Sequence, residues 1–131
     1  EPTRTDSDLG LDNVNFKGHL VNPSLELRNS TFYISASLRE GMPNAALEAI
    51  NSQNILIIND IECHRDLIAG TRHLLYRTES LTSFVKTLKA SHDLSEEERS
   101  RILSSNDDIL QKHRPSKVIE RLDKIINDYV N

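Results

Sequence analysis

The stretch TFYISASLREGMPNAALEAINSQNILIIND, Thr31 to Asp60, carries three structural signals in sequence. Thr31–Ser35 is dense in aromatic and β-branched residues, which suit a strand. Ala45, Leu47, Ala49 and Ile50 lie in good helix-forming sequence that opens near Pro43. Ile55–Ile58 is an unbroken apolar run closed by Asn59-Asp60, the pattern of a strand buried on both faces. Strand, loop, helix and buried strand in that order predict a parallel βαβ unit, so the fold class is α/β with a parallel sheet flanked by helices.

The same pattern extends outward in both directions. Upstream, Asn13–Phe16 alternates polar and apolar residues before Gly18 and predicts a short strand. Asn22-Pro23 marks a turn, Pro23 suits a first helical position, and Leu25 and Leu27 begin a short helix. Downstream, a short helix is expected around Glu62–Ile68 and a short strand at His73–Tyr76. Beyond Glu79 the spacing becomes helical. Leu81, Phe84, Val85 and Leu88 share one face, and Ser95 with Glu98 forms a capping box that opens a helix to about Lys112. Pro115 starts a last helix with Val118, Ile119, Leu122, Ile125, Ile126 and Tyr129 on one side. The expected layout is a single domain: a lead-in at 1–12, an α/β core at 13–78 and a helical tail at 79–131.

Composition narrows the function classes. A chain of 131 residues, 37% hydrophobic and 27% charged, can bury one modest core. Sixteen basic and 20 acidic residues give a net charge of −4, which argues against nucleic acid as a partner. Cys63 is the single cysteine, so neither an internal disulfide nor a thiolate zinc cluster can form. No run approaches the roughly 20 apolar residues of a bilayer span. The opening residues lack a signal-peptide core, and a cytoplasmic setting is expected. The polar start at Glu1, which is not methionine, suggests a beginning within a longer protein.

Chemistry concentrates in Ser35–Ile50, the loop after a strand, where ligands of open α/β sheets bind. Glu40 and Glu48 bracket it, one in the loop and one on the second turn of the helix, with seven residues between them. Gly41 and Met42 supply no side-chain oxygen to cap the helix that Pro43 introduces, so its first N–H groups are expected bare. Such an end favours phosphate or a sugar hydroxyl. Carboxylates on either side suit the vicinal diols of a sugar nucleotide.

REGMPNAALEA, Arg39 to Ala49, resembles the E-x7-E motif of the family 4 retaining glycosyltransferases, which have two Rossmann-like domains in the GT-B architecture. VNFKGHLVNP, FYISASLREGMPNAALEAI and ILIINDIECHRDLI resemble successive segments of the family's C-terminal, donor-binding domain, covering roughly Leu11 to Ile68. The resemblance implies transfer of a sugar from a nucleotide-diphosphate donor to a glycan or lipid-linked acceptor, with retention and without a metal or other cofactor. Glu40 is implied as the catalytic-site residue that contacts donor-sugar hydroxyls, and Glu48 as the ribose ligand. Gly41, Met42, Pro43 and Asn44 fall where the family meets sugar and diphosphate, with Leu47 packing nearby. The acceptor domain and the arginine–lysine diphosphate clamp would lie upstream of Glu1. Lys17, Arg28 and Arg39 do not take the clamp's place in the order of elements. Peripheral association of the full-length protein with the inner face of the cell membrane is a further implication, and the fragment alone is expected to turn over feebly. Where the family has glycine, one residue and proline before its next strand, this chain has Gln53 and Ile55.

Other residues carry weaker signals. By spacing alone, Glu40 and Glu48 would be two surface glutamates; the surrounding match is what singles them out. Asp6-Ser7-Asp8 has a D-x-D pattern but no apolar strand before it, and a solvated lead-in is expected. His19 is expected in a loop, His64 and His73 as structural or exposed, and Cys63 as an inert thiol with no helix start to activate it. Glu97–Arg101 should pair along a solvated face, and the Val118–Tyr129 stripe should be a docking face. The competing function is a non-catalytic α/β nucleotide-binding or assembly module.

Overall fold

The computed structural model describes residues 13–130 and side chains as far as residue 128, so the lead-in with Asp6-Ser7-Asp8 and the Tyr129 side chain lie outside the described residues. The elements run α1 (Ser24–Arg28), β1 (Phe32–Ser35), α2 (Asn44–Asn51), β2 (Ile55–Asn59), α3 (Glu62–Leu67), β3 (Leu74–Tyr76), α4 (Leu81–His92), α5 (Glu96–Leu103), α6 (Asn106–Lys112) and α7 (Pro115–Val130). The three strands form one parallel sheet in the order β1-β2-β3. Phe32 stands opposite Ile55, and Ile57 opposite Leu74.

β2 is buried along its whole length, as its apolar run requires. Leu56 and Ile58 join Ala46, Ala49 and Ile50 of α2, Leu67 and Ile68, and Ile109 of α6 in the main core cluster. Ile55 and Ile57 alternate to the opposite face, where α5 approaches β2 and Ile102 is buried. Both faces of β2 are therefore covered. This accounts for a run without polar alternation.

The predicted strand at Asn13–Phe16 does not form. The segment is exposed, and among the described residues no strand pairs with β1 on the side away from β2. Alternation over a few residues cannot hold a strand without a ladder to complete it.

The predicted long helix ending near Lys112 is two helices, α5 and α6. Its start is as expected: the Ser95 hydroxyl accepts from Glu98 N–H at 3.2 Å, and the Glu98 carboxylate accepts from Ser95 N–H at 2.8 Å. The break falls at Ser104-Ser105, whose hydroxyls donate back to the carbonyls of Arg101 and Ile102. Restarting there turns Asn106 and Ile109 inward. Asn106 is fully buried and its amide donates to the carbonyls of Ile50 and Asn54, so α6 fastens the end of α2. On α7, Ile119, Leu122, Ile125 and Ile126 are exposed, and the helix makes its main contacts with α6.

Candidate functional site

The loop between β1 and α2 is pinned at its beginning. Tyr76 at the end of β3 donates its hydroxyl to the Ser35 carbonyl at 2.7 Å, and the Asn59 amide at the end of β2 donates to the Ser37 carbonyl at 2.7 Å. Three strand ends thus fix where the loop leaves the sheet. Leu38 and Arg39 then swing into solvent, and Glu40 turns back with 24% of its side chain exposed.

α2 starts bare. Pro43 precedes it as the N-cap without a side-chain hydrogen bond, and no acidic residue lies in the first turn. Asn44 N–H is drawn back to the Met42 carbonyl at 2.9 Å, and the first full helical bond runs from Leu47 N–H to the Pro43 carbonyl at 3.0 Å. The N–H groups of Ala45 and Ala46 between them find no acceptor outside the helix among the described residues. Gly41 has no left-handed backbone, and a Cβ built on it meets nothing within 4 Å. The chain's own packing therefore does not demand glycine at Gly41.

The far end of α2 closes in a Schellman motif. Gln53 N–H donates to the Ile50 carbonyl and Asn54 N–H to the Ala49 carbonyl, both at 3.0 Å. Gln53 takes the left-handed conformation this requires, with φ 61°. The place where the resembled family has glycine thus keeps glycine's backbone with a glutamine. Ile55, in place of the proline, donates its N–H to the Thr31 carbonyl at 2.9 Å, a bond proline could not make.

Of the residues singled out from sequence, Glu40, Gly41 and Met42 lie on the loop, Pro43 is buried at its end, and Asn44 and Glu48 are exposed on α2. Leu47 is half-buried and packs against the core cluster, so its contact is with the fold itself. The structure brings the two carboxylates to bear on one group that sequence reading passed over, the phenol of Tyr33 on β1. Its pKa is raised, first by burial and then by the Glu40 carboxylate, with a smaller push from Glu48 that works against the hydrogen bond from Ser35. No periodicity marked Tyr33, because its role comes from a neighbouring loop and helix.

Two cavities adjoin the loop and share Leu38 as a wall. One, of about 320 Å³, is lined by Arg39, Glu40, Ile61, Glu62 and Cys63. The other, of about 330 Å³, opens at the strand ends between Asn59, Tyr76, Thr78, Leu81 and Phe84 and is mainly apolar. Cys63 lies in the first turn of α3, the helix expected around Glu62–Ile68, so a helix start does stand beside it. Its thiol is nevertheless pushed up by burial and by Glu40, so it stays protonated and inert.

The histidines separate by environment. His19 is exposed. His73 is buried and structural: its Nδ1 accepts Leu56 N–H at 3.1 Å, and its Nε2 lies 2.9 Å from the Asn106 side-chain oxygen. Burial lowers its pKa, only partly offset by Asn106. His64 is also fully buried, and its Nε2 lies 4.0 Å from Glu40 Oε1. Among the described residues no group of three or more histidine, cysteine or acidic side chains is placed to hold a metal ion. No described helix is long and apolar enough to cross a membrane. No protein-family model and no curated protein matches this chain.

Proposed function

We propose that this chain supplies part of the donor site of a retaining glycosyltransferase that uses a nucleotide-diphosphate sugar. The observation that carries the reading is the pair of carboxylates, Glu40 and Glu48, set on either side of an uncapped helix start at the carboxyl end of a parallel strand. The bare Ala45 and Ala46 amides and the positive end of α2 suit a diphosphate. Glu40 accepts hydrogen bonds from donor-sugar hydroxyls and orients the anomeric carbon. Glu48 accepts from the ribose diol. Open space at Gly41 lets the backbone approach the sugar. On this reading Glu40 positions and stabilises the donor and makes no covalent bond to it. The acceptor, a glycan or lipid-linked sugar, and the diphosphate clamp come from the rest of the enzyme, which acts in the cytoplasm or at the inner membrane face.

The test is calorimetry of the longest chain its gene encodes with uridine and guanosine diphosphates and their sugars. Glu48→Ala removes hydrogen bonds to a charged acceptor and should weaken binding roughly ten- to a hundredfold. Unchanged affinity in that variant refutes the assignment of Glu48. Absence of binding by the intact protein favours the non-catalytic module.

A further inference from the structure

We propose that His64 is the positioning residue for Glu40, holding it through a proton that sits on His64 Nε2. The inference rests on the donor-site reading for its consequence but on geometry alone for its premise. His64 Nδ1 lies 2.9 Å from the Asn59 backbone carbonyl. A carbonyl can only accept, so Nδ1 carries hydrogen. In a neutral ring the other nitrogen, Nε2, is then a lone-pair acceptor. That atom is buried and has no hydrogen-bond partner among the described residues. The side-chain atom it faces, Glu40 Oε1 at 4.0 Å, is also an acceptor when ionised.

A bare acceptor at His64 Nε2 facing a second acceptor is unfavourable, because the ring nitrogen is fully desolvated and unpaired while Glu40, a quarter exposed, still reaches solvent. One proton removes the conflict. That proton goes to Nε2, the buried ring nitrogen with no other partner among the described residues. The result is an imidazolium anchored to Asn59 on one side and donating to Glu40 on the other. A contraction of about 1 Å brings 4.0 Å to charge-assisted hydrogen-bond length. Glu40 then keeps its second oxygen for the ligand, held in one orientation.

The other ionisable groups around this pair leave the task to His64. Arg39 shares the loop, and Glu62 and Cys63 of α3 line the same cavity. Arg65 is held by Asp60 at 2.6 Å, and Asp66 acts on Cys63. Tyr33 feels Glu40 from β1 and, with its phenol raised, remains neutral. Among the described residues His64 is the cation-forming group within ion-pair distance of Glu40.

The first test needs no ligand. Nitrogen-15 spectra of the histidine rings in the whole chain at pH 6 should show both His64 nitrogens protonated. In Glu40→Gln, whose neutral amide can itself donate to the ring, Nε2 should become bare. A bare Nε2 in the unaltered protein, or a ring unaffected by Glu40→Gln, overturns the proposal. The second test uses UDP-glucose and GDP-mannose as probes, taking whichever binds. His64→Gln keeps an N–H donor and should stay within a few-fold of the parent. His64→Leu should weaken binding roughly tenfold or more, the effect of a lost charge-assisted hydrogen bond. Equal weakening in both variants overturns positioning by donation. If neither probe binds the unaltered protein, the donor reading fails while the ring spectra still decide the proton.

Discussion

Replacing Gln53 by glycine should stabilise this protein. Gln53 occupies the C′ position of the Schellman turn that ends α2, with φ 61°. A side chain in the left-handed region costs about 1–2 kcal/mol through contact of Cβ with the backbone. Glycine removes that cost but has more freedom to lose on folding, which takes back roughly 0.5–1 kcal/mol. The Gln53 side chain is exposed, so little burial is lost. Both closing hydrogen bonds use backbone atoms and survive the change. The balance is a gain of about 0.5–1 kcal/mol, or about 2–4 °C in Tm for a domain of this size. Urea unfolding of the parent, Gln53→Gly and Gln53→Ala measures it, with the alanine variant near the parent because it retains the same Cβ. If the glycine variant is no more stable than the alanine variant, the left-handed turn is not a strained feature of the folded protein and the argument fails.

Two other perturbations follow from single contacts. The His73 pKa is lowered by burial, so the folded protein binds fewer protons there than the unfolded chain, and the stability this contributes is present above histidine's ordinary value of about 6.5. Urea midpoints should fall as pH drops below about 6.5, and the slope should flatten in His73→Gln; an equally steep decline in that variant would place the acid sensitivity elsewhere. Ser95→Ala deletes the acceptor for Glu98 N–H in the capping box and should cost about 1 kcal/mol by chemical denaturation. A Ser95→Asp variant that recovers none of the loss would show that the cap is not what matters.

Local pattern and tertiary contact divide what sequence could and could not reveal. Ile55–Ile58 disclosed a central parallel strand because burial on both faces removes polar alternation, and the Ser95–Glu98 box disclosed a helix start because both partners lie within one turn. The helix break at Ser104-Ser105 was hidden. Serine is tolerated within helices, and what favours the break is Asn106 reaching the carbonyls of Ile50 and Asn54, far away in the chain. Asn13–Phe16 failed in the opposite way: its alternation was genuine, but a strand exists only where a ladder receives it. At the site, the flanking glutamates and the absent cap were legible. His64 was not, because its relation to Glu40 arises from α3 folding under the β1–α2 loop.

The loop from Leu38 to Met42 is held between fixed points, yet its exposed residues do little for the fold. Its origin is tied by Tyr76 and Asn59, and α2 beyond it is fixed by the Schellman turn and by Asn106. Between these ties stand exposed Met42, a glycine that neither φ nor crowding requires, and a helix start without a cap. A sequence selected for stability alone would place a serine or aspartate before α2 and gain about 1 kcal/mol. It would also fill the space beside Gly41. Leaving both gains untaken on a rigidly mounted loop supports the proposed donor site, since free amides and open backbone are of use to a ligand and of none to the core.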